Sequence, residues 1–127
     1  MPLARIIGVN LSMVVLYHNP RCSKSCAALA LLEERGVAFE LVRYLETPLD
    51  ENEIGELLHL LGMKPLELMR RGEAAFKELA LGEDGVTDQA MVEAMTAHPI
   101  LMERPVFVRD GRAVVGRPPE RVLELLE

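Results

Sequence analysis

The most reactive side chains in this sequence are two cysteines, Cys22 and Cys26, four apart in C-S-K-S-C. Cys22 ends the run Tyr17-His18-Asn19-Pro20-Arg21-Cys22, which joins a β-branched stretch to a segment with helical spacing. Such a loop puts the Cys22 sulfur at a helix N-terminus, where unpaired amide N–H groups and the helix dipole favour negative charge. A thiol there ionises more readily, so more of the nucleophile exists at neutral pH. His18 as an imidazolium, and Arg21, would strengthen the effect if they point inward. The same amides can hold a tetrahedral oxyanion against the sulfur. The plainer reading is an inert buried cysteine among residues that only shape a turn. Two close cysteines cannot staple a domain of 127 residues, and His18, His59 and His98 are too scattered for a four-ligand metal cluster.

Composition narrows the partners. With 14 basic and 20 acidic residues the formal charge is −6, which disfavours non-specific nucleic-acid binding, since that is mostly phosphate neutralisation. Eleven of the basic residues are Arg and three are Lys. Arg suits planar, multidentate recognition of oxyanions, although a GC-rich genome gives the same skew. A chain that is 50% apolar and 27% charged is not disordered. Its longest apolar run, Cys26 to Leu32, falls far short of the roughly 20 residues that cross a bilayer. The first residues lack a small-residue cleavage site and lead directly into the loop motif. The expectation is a cytoplasmic protein in which residues 1–12 are an N-terminal extension.

The elements that must position these residues follow from local pattern. Met13 to Tyr17 reads as a buried strand closed by the turn-forming pair Asn19-Pro20. Ser23 to Arg35 reads as an amphipathic helix carrying Cys26, Leu29 and Leu32, with Gly36 at its end. Phe39 to Tyr44 alternates as a strand, so the unit is strand, helix, strand with a right-handed crossover. From Pro48 to about Pro99 the patterns are helical: Asp50 caps one helix through Leu61, Pro65 opens a short one, Glu73 to Leu79 makes another, and Thr87 caps the last. Leu57, Leu58, Leu61, Met91 and Met95 are its expected core. After Pro105, V-F-V runs into Asp110-Gly111, a hairpin signal, and returns as A-V-V-G. A helix over Glu120 to Leu126 closes the chain. The order matches an α/β, thioredoxin-like fold, with a core at about 13–48 and 99–127 and a helical insertion at about 49–98, between strands 2 and 3.

Tyr17-His18-Asn19-Pro20-x-Cys22 resembles the nucleophile loop of the glutaredoxin-coupled arsenate reductase family. The resemblance continues through Tyr44-Leu45-Glu46-Thr47-Pro48, Leu68-Met69-Arg70, His98-Pro99-Ile100-Leu101, Arg104-Pro105 and Gly116-Arg117-Pro118, in order and with similar spacing. It implies that Cys22 attacks arsenate to form a thiolate–arsenate adduct, and that His18 and Ser25 help hold the thiolate. It assigns Arg70, Arg104 and Arg117 to the oxyanion. Taken singly, each Arg is as readily a solvated surface residue, and Arg71 is the neighbour a register error would substitute for Arg70. The resemblance further implies a cis peptide bond before Pro105. It requires no bound metal or organic cofactor, with glutathione as co-substrate, glutaredoxin as protein partner, and a monomer.

Cys26 departs from the family pattern. It lies one helical turn after Cys22, either as a resolving thiol that closes a disulfide or as a small residue on the buried face. Two other functions fit the same residues: a thiol oxidoreductase of this fold on another substrate, and a non-enzymatic regulator of transcription resembling the Spx proteins, which carry C-x-x-C rather than the C-x-x-x-C found here.

Overall fold

A computed structural model of the chain describes residues 13–126. The extension expected over residues 1–12 lies outside the described residues. The chain divides into two compact units, one made of residues 13–47 and 104–126 and the other of Pro48–Glu103. The sequence reading set these joins near 48 and 98.

The first unit contains β1 (Val14–His18), α1 (Ser23–Glu34), β2 (Glu40–Arg43), β3 (Val106–Arg109), β4 (Arg112–Val115) and a closing 3-10 helix, Pro119–Leu126. Its sheet has the order β2-β1-β3-β4, with β1 parallel to β2 and antiparallel to β3, and β4 returning antiparallel to β3. With the helices inserted between β2 and β3, this is the thioredoxin-like arrangement expected from the sequence. Asp110 and Gly111 sit at φ 49° and 81° between β3 and β4. That pair of positive φ values is what a two-residue hairpin needs to match strand twist. Leu16, Phe107, Ala28, Leu32, Val114, Val122 and Leu125 form one buried cluster between the sheet, α1 and the closing helix.

One expectation is corrected here. The buried face of α1 is Ser25, Ala28 and Leu32, while Cys26 is exposed. The closing helix expected over Glu120 to Leu126 is present as a 3-10 helix: its inward residues, Val122 and Leu125, are three apart, and a three-residue period aligns them on one face.

The second unit is helical: α2 (Glu51–Leu61), α3 (Pro65–Leu68), α4 (Ala74–Glu78), α5 (Asp88–Ala97) and a 3-10 turn, Pro99–Leu101. Asp50 and Glu53 close a reciprocal capping box on α2, Gly62 ends it at φ 66°, and the Thr87 hydroxyl accepts from the Ala90 amide. Ile54, Leu57, Leu58, Met91 and Met95 are buried as a core, whereas Leu61 is half-buried. His59 and His98 are exposed. A bridge between Met69 and Met102, with the Glu103 amide donating to the Leu68 carbonyl, fixes the residues around Arg70. Among the described residues, no helix is long and apolar enough to cross a membrane.

Candidate active site

Cys22 is the N-cap of α1, a 12-residue helix, with extended backbone at φ −100° and ψ 121°. The loop before it is built by local hydrogen bonds. The Asn19 side chain accepts from the Arg21 amide at 2.9 Å, and the Asn19 carbonyl accepts from the Cys22 amide at 3.0 Å. The first is an Asx turn, for which Asn is among the best residues, and it aims the chain into the helix. Asn19 is buried, so these bonds also satisfy a polar group that would otherwise be costly to bury.

Burial pushes the Cys22 thiol up. The Ser25 amide, the Arg104 guanidinium and the Lys24 amide outweigh that cost and hold the thiol below its ordinary value. Neither amide closes a capping hydrogen bond with the sulfur; they act as oriented dipoles at the helix start. Arg104 itself is 8% exposed, and a guanidinium so shielded is felt more strongly than one in water. The Arg117 Nη1 donates to the Arg104 carbonyl at 3.2 Å. Cys22, Arg104 and Arg117 are therefore linked within the first unit. The Arg104–Pro105 peptide bond is cis, and so is Arg117–Pro118.

His18 and Ser25 are both buried, with His18 Nδ1 2.7 Å from the Ser25 hydroxyl, which also accepts from the Asn19 amide at 3.0 Å. Burial, followed by the Arg43 charge, lowers the His18 pKa. Both influences work against the imidazolium that the sequence suggests beside the thiolate. The Ser25 hydroxyl is engaged by His18 and Asn19, so what Ser25 gives the sulfur is its backbone amide. These two residues hold the loop.

Arg70 lies in the helical unit. Its Nε donates to Glu73 at 3.1 Å and its Nη1 to Glu103 at 2.7 Å, with the side chain about a quarter exposed, 24%. Arg71 beside it is exposed. Cys26 is exposed, its Sγ 3.3 Å from the Pro20 carbonyl oxygen. Among the described residues, no group of three or more His, Cys, Asp or Glu side chains is placed to hold a metal ion.

Comparison with known proteins decides the family, for the ArsC family model matches residues 17–125. The chain belongs to the ArsC family. Among ArsC relatives, the uncharacterized Escherichia coli K12 protein YfgD is 51% identical over 114 residues, 89% of this chain and 96% of its own length. A Neisseria meningitidis arsenate reductase is 44% identical over 114 residues, covering 89% of this chain and 97% of its own. A solved arsenate reductase from Vibrio cholerae superposes with a TM-score of 0.86 at 47% identity, across 91% of this chain and 98% of the other. The ArsC match spans the Cys22 loop, both cis peptide bonds and all three arginines read from the sequence.

Sequence reasoning misses two contributors. Asn19 was read only as a turn former, although the Asn-Pro pair two residues before a helix signals an Asx turn. Gly116 was noted only as part of a motif. A Cβ there would lie 2.8 Å from Pro105 Cγ and 3.0 Å from Val122 Cγ1, so the position admits only glycine against the cis proline. No local pattern reveals such a close approach.

Proposed function

We propose that this protein is a thiol-dependent arsenate reductase. The observation that carries the reading is the Cys22 sulfur at the start of α1, its pKa lowered in part by the buried Arg104 guanidinium, with Arg117 tied to the Arg104 carbonyl. A dianionic tetrahedral oxyanion needs fixed cations and amides beside the attacking atom, and this end of the first unit supplies both. The relatives named arsenate reductase support the substrate class.

In this reading the Cys22 thiolate displaces water from arsenate and forms a sulfur–arsenic bond. Arg104 and Arg117 balance the charge of the adduct; Arg70 is assigned the same role on its motif alone. Glutathione then caps the Cys22 sulfur as a mixed disulfide while arsenic passes from V to III and leaves as arsenite. Glutaredoxin removes the glutathione and restores the thiol. No metal or organic cofactor takes part, and the protein acts as a cytoplasmic monomer. Cys26, exposed and directed at the nucleophile loop, offers an internal second thiol for the same step. Loss of two mass units from the wild type after one turnover without glutathione, absent in Cys26→Ser, would establish that route.

The test is arsenate-dependent NADPH oxidation with glutathione, glutaredoxin and glutathione reductase. Turnover that disappears in Cys22→Ser supports the assignment. Absence of turnover in the wild type shifts it to another substrate of the same thiol chemistry, and capture of RNA polymerase would favour a regulator instead.

A further inference from the structure

The backbone that carries Arg70 is fixed by pairing within the helical unit. Residues 68–70 run antiparallel to residues 101–103. The Arg70 amide donates to the Leu101 carbonyl at 2.7 Å, Met69 bridges Met102, and the Glu103 amide donates to the Leu68 carbonyl at 2.8 Å. Leu68, Met69, Leu101 and Met102 are all buried, so this join cannot slip without exposing apolar surface. In such a pairing Arg70 lies diagonal to Glu103, within reach of a long side chain. The turn Arg70-Arg71-Gly72-Glu73 closes with the Glu73 amide donating to the Arg70 carbonyl at 3.2 Å, and it returns Glu73 to the same guanidinium.

An unrestrained arginine side chain samples many rotamers, and an anion that binds it must overcome that entropy. Arg70 is already restrained. Its Nε donates to Glu73 Oε2 at 3.1 Å and its Nη1 to Glu103 Oε1 at 2.7 Å. Burial works against the Arg70 charge, and the hydrogen bonds to Glu73 and Glu103 outweigh it and raise the pKa. Among the described residues these ion pairs leave both Nη2 hydrogens to a ligand. A guanidinium between two carboxylates is net negative as a cluster, so it does not draw anions from a distance. What it offers an anion is direction.

We infer that Glu73 and Glu103 are positioning residues, which hold the Arg70 guanidinium in one rotamer so that its Nη2 group meets the oxyanion already oriented. The inference rests on the arsenate reductase reading, in which Arg70 is an oxyanion ligand. Neither glutamate touches the substrate, and both act through the arginine alone. A clamp of one local arm and one arm from across the backbone pairing fixes a long side chain that neither would fix by itself.

The experiment measures arsenate turnover, in the coupled assay, for the wild type, Glu73→Ala/Glu103→Ala, Glu73→Gln/Glu103→Gln, Arg70→Ala and the triple alanine variant. Loss of the clamp should lower kcat/KM for arsenate about tenfold or more. The glutamine pair keeps a neutral acceptor at each site, should recover part of that loss, and carries the test if the alanine pair folds poorly. The triple variant should be no worse than Arg70→Ala, because the glutamates act only through Arg70. Wild-type kcat/KM in both glutamate variants, or losses that add to those of Arg70→Ala, overturn the inference. So does a lowered KM for arsenate, which would make the carboxylates competitors of the anion. NMR of the Arg70 Nε–H group separates the clamp from the reductase reading. In the wild type this signal should be sharp, slow to exchange with water and shifted by added arsenate; in the alanine pair it should be lost to exchange. A restrained signal that moves with arsenate, in a protein that never turns arsenate over, upholds the clamp and removes the reductase reading. Turnover by a wild type whose Arg70 signal is already lost to exchange does the reverse.

Discussion

At the residue scale, one sulfur is acted on by groups whose shares can be separated by substitution. Arg104→Gln removes a buried guanidinium from the sulfur but leaves both helix amides. The pH profile of Cys22 alkylation should therefore move upward from the wild type while remaining below that of a free thiol, near pKa 8.5. Arsenate turnover should fall at least a hundredfold, the usual scale for losing one preorganised oxyanion donor. Because Arg104 is buried, some loss of stability is expected too, and circular dichroism must show a folded variant before the kinetics are read. Ser25→Ala should behave in the opposite way. It keeps the backbone amide at the sulfur but strands His18 Nδ1 and the Asn19 amide in a buried site, at a cost of about 1–3 kcal/mol. A lowered Tm with a nearly unchanged alkylation profile is the expected result; a large upward move of the profile would mean that the hydroxyl serves the thiolate directly. His18 adds a pH dependence of definite sign. Its pKa is lowered on folding from an ordinary value near 6.5, so below that pH the unfolded chain takes up a proton that the native state resists. Stability from this group is complete above that range and declines as pH falls through it. Thermal melts between pH 7.5 and 5.5 should show the decline, and it should be smaller in His18→Asn.

At the element scale, β3 and β4 present Arg104 and Arg117 by way of the two X-Pro segments at their far ends. Gly116 is the contact that sets their spacing, its amide donating to the Pro105 carbonyl at 2.9 Å. Gly116→Ala would force a methyl against Pro105 and Val122. We expect destabilisation of about 1–3 kcal/mol, the range for overpacking, together with slower Cys22 alkylation at pH 7 as Arg104 is displaced. Asp50→Ala, which breaks the capping box on α2, is the matched control: about 1 kcal/mol of lost stability with Cys22 reactivity unchanged. These elements also mark what a sequence can disclose. The strand-helix-strand unit, the Asp110-Gly111 hairpin, the Asp50 and Thr87 caps and the place of Cys22 were legible because each is set by neighbours within a few residues. The inward face of α1 was not, because Ala28 and Ser25 are weakly patterned and Cys26 and Leu29 look more apolar. The lowered pKa of His18 and the burial of Arg104 were hidden for a different reason. Both depend on side chains brought in from other strands, and a charge cannot be read from sequence until its surroundings are known.

At the scale of the whole molecule, a chain of formal charge −6 keeps a buried guanidinium, Arg104, at its nucleophile. A dianion approaching from a distance meets net repulsion, and only close to Cys22 does it meet Arg104 and Arg117. Salt separates these two fields. Raising ionic strength from about 0.01 to 0.15 M shortens the screening length from about 30 to about 8 Å. That damps the scattered surface carboxylates, while a buried guanidinium in contact with the sulfur is screened far less. The ratio of Cys22 alkylation rates with anionic iodoacetate and neutral iodoacetamide reads the local potential directly. In the wild type this ratio should exceed that of a free cysteine and should hold or rise as salt is added, because the repulsive part is removed first. In Arg104→Gln it should fall toward the free-thiol value at every salt concentration. A wild-type ratio that instead collapses with salt would assign the potential to exposed cations such as Arg21 and Arg43, and the contact between Arg104 and the Cys22 sulfur would no longer account for the reactivity of the site.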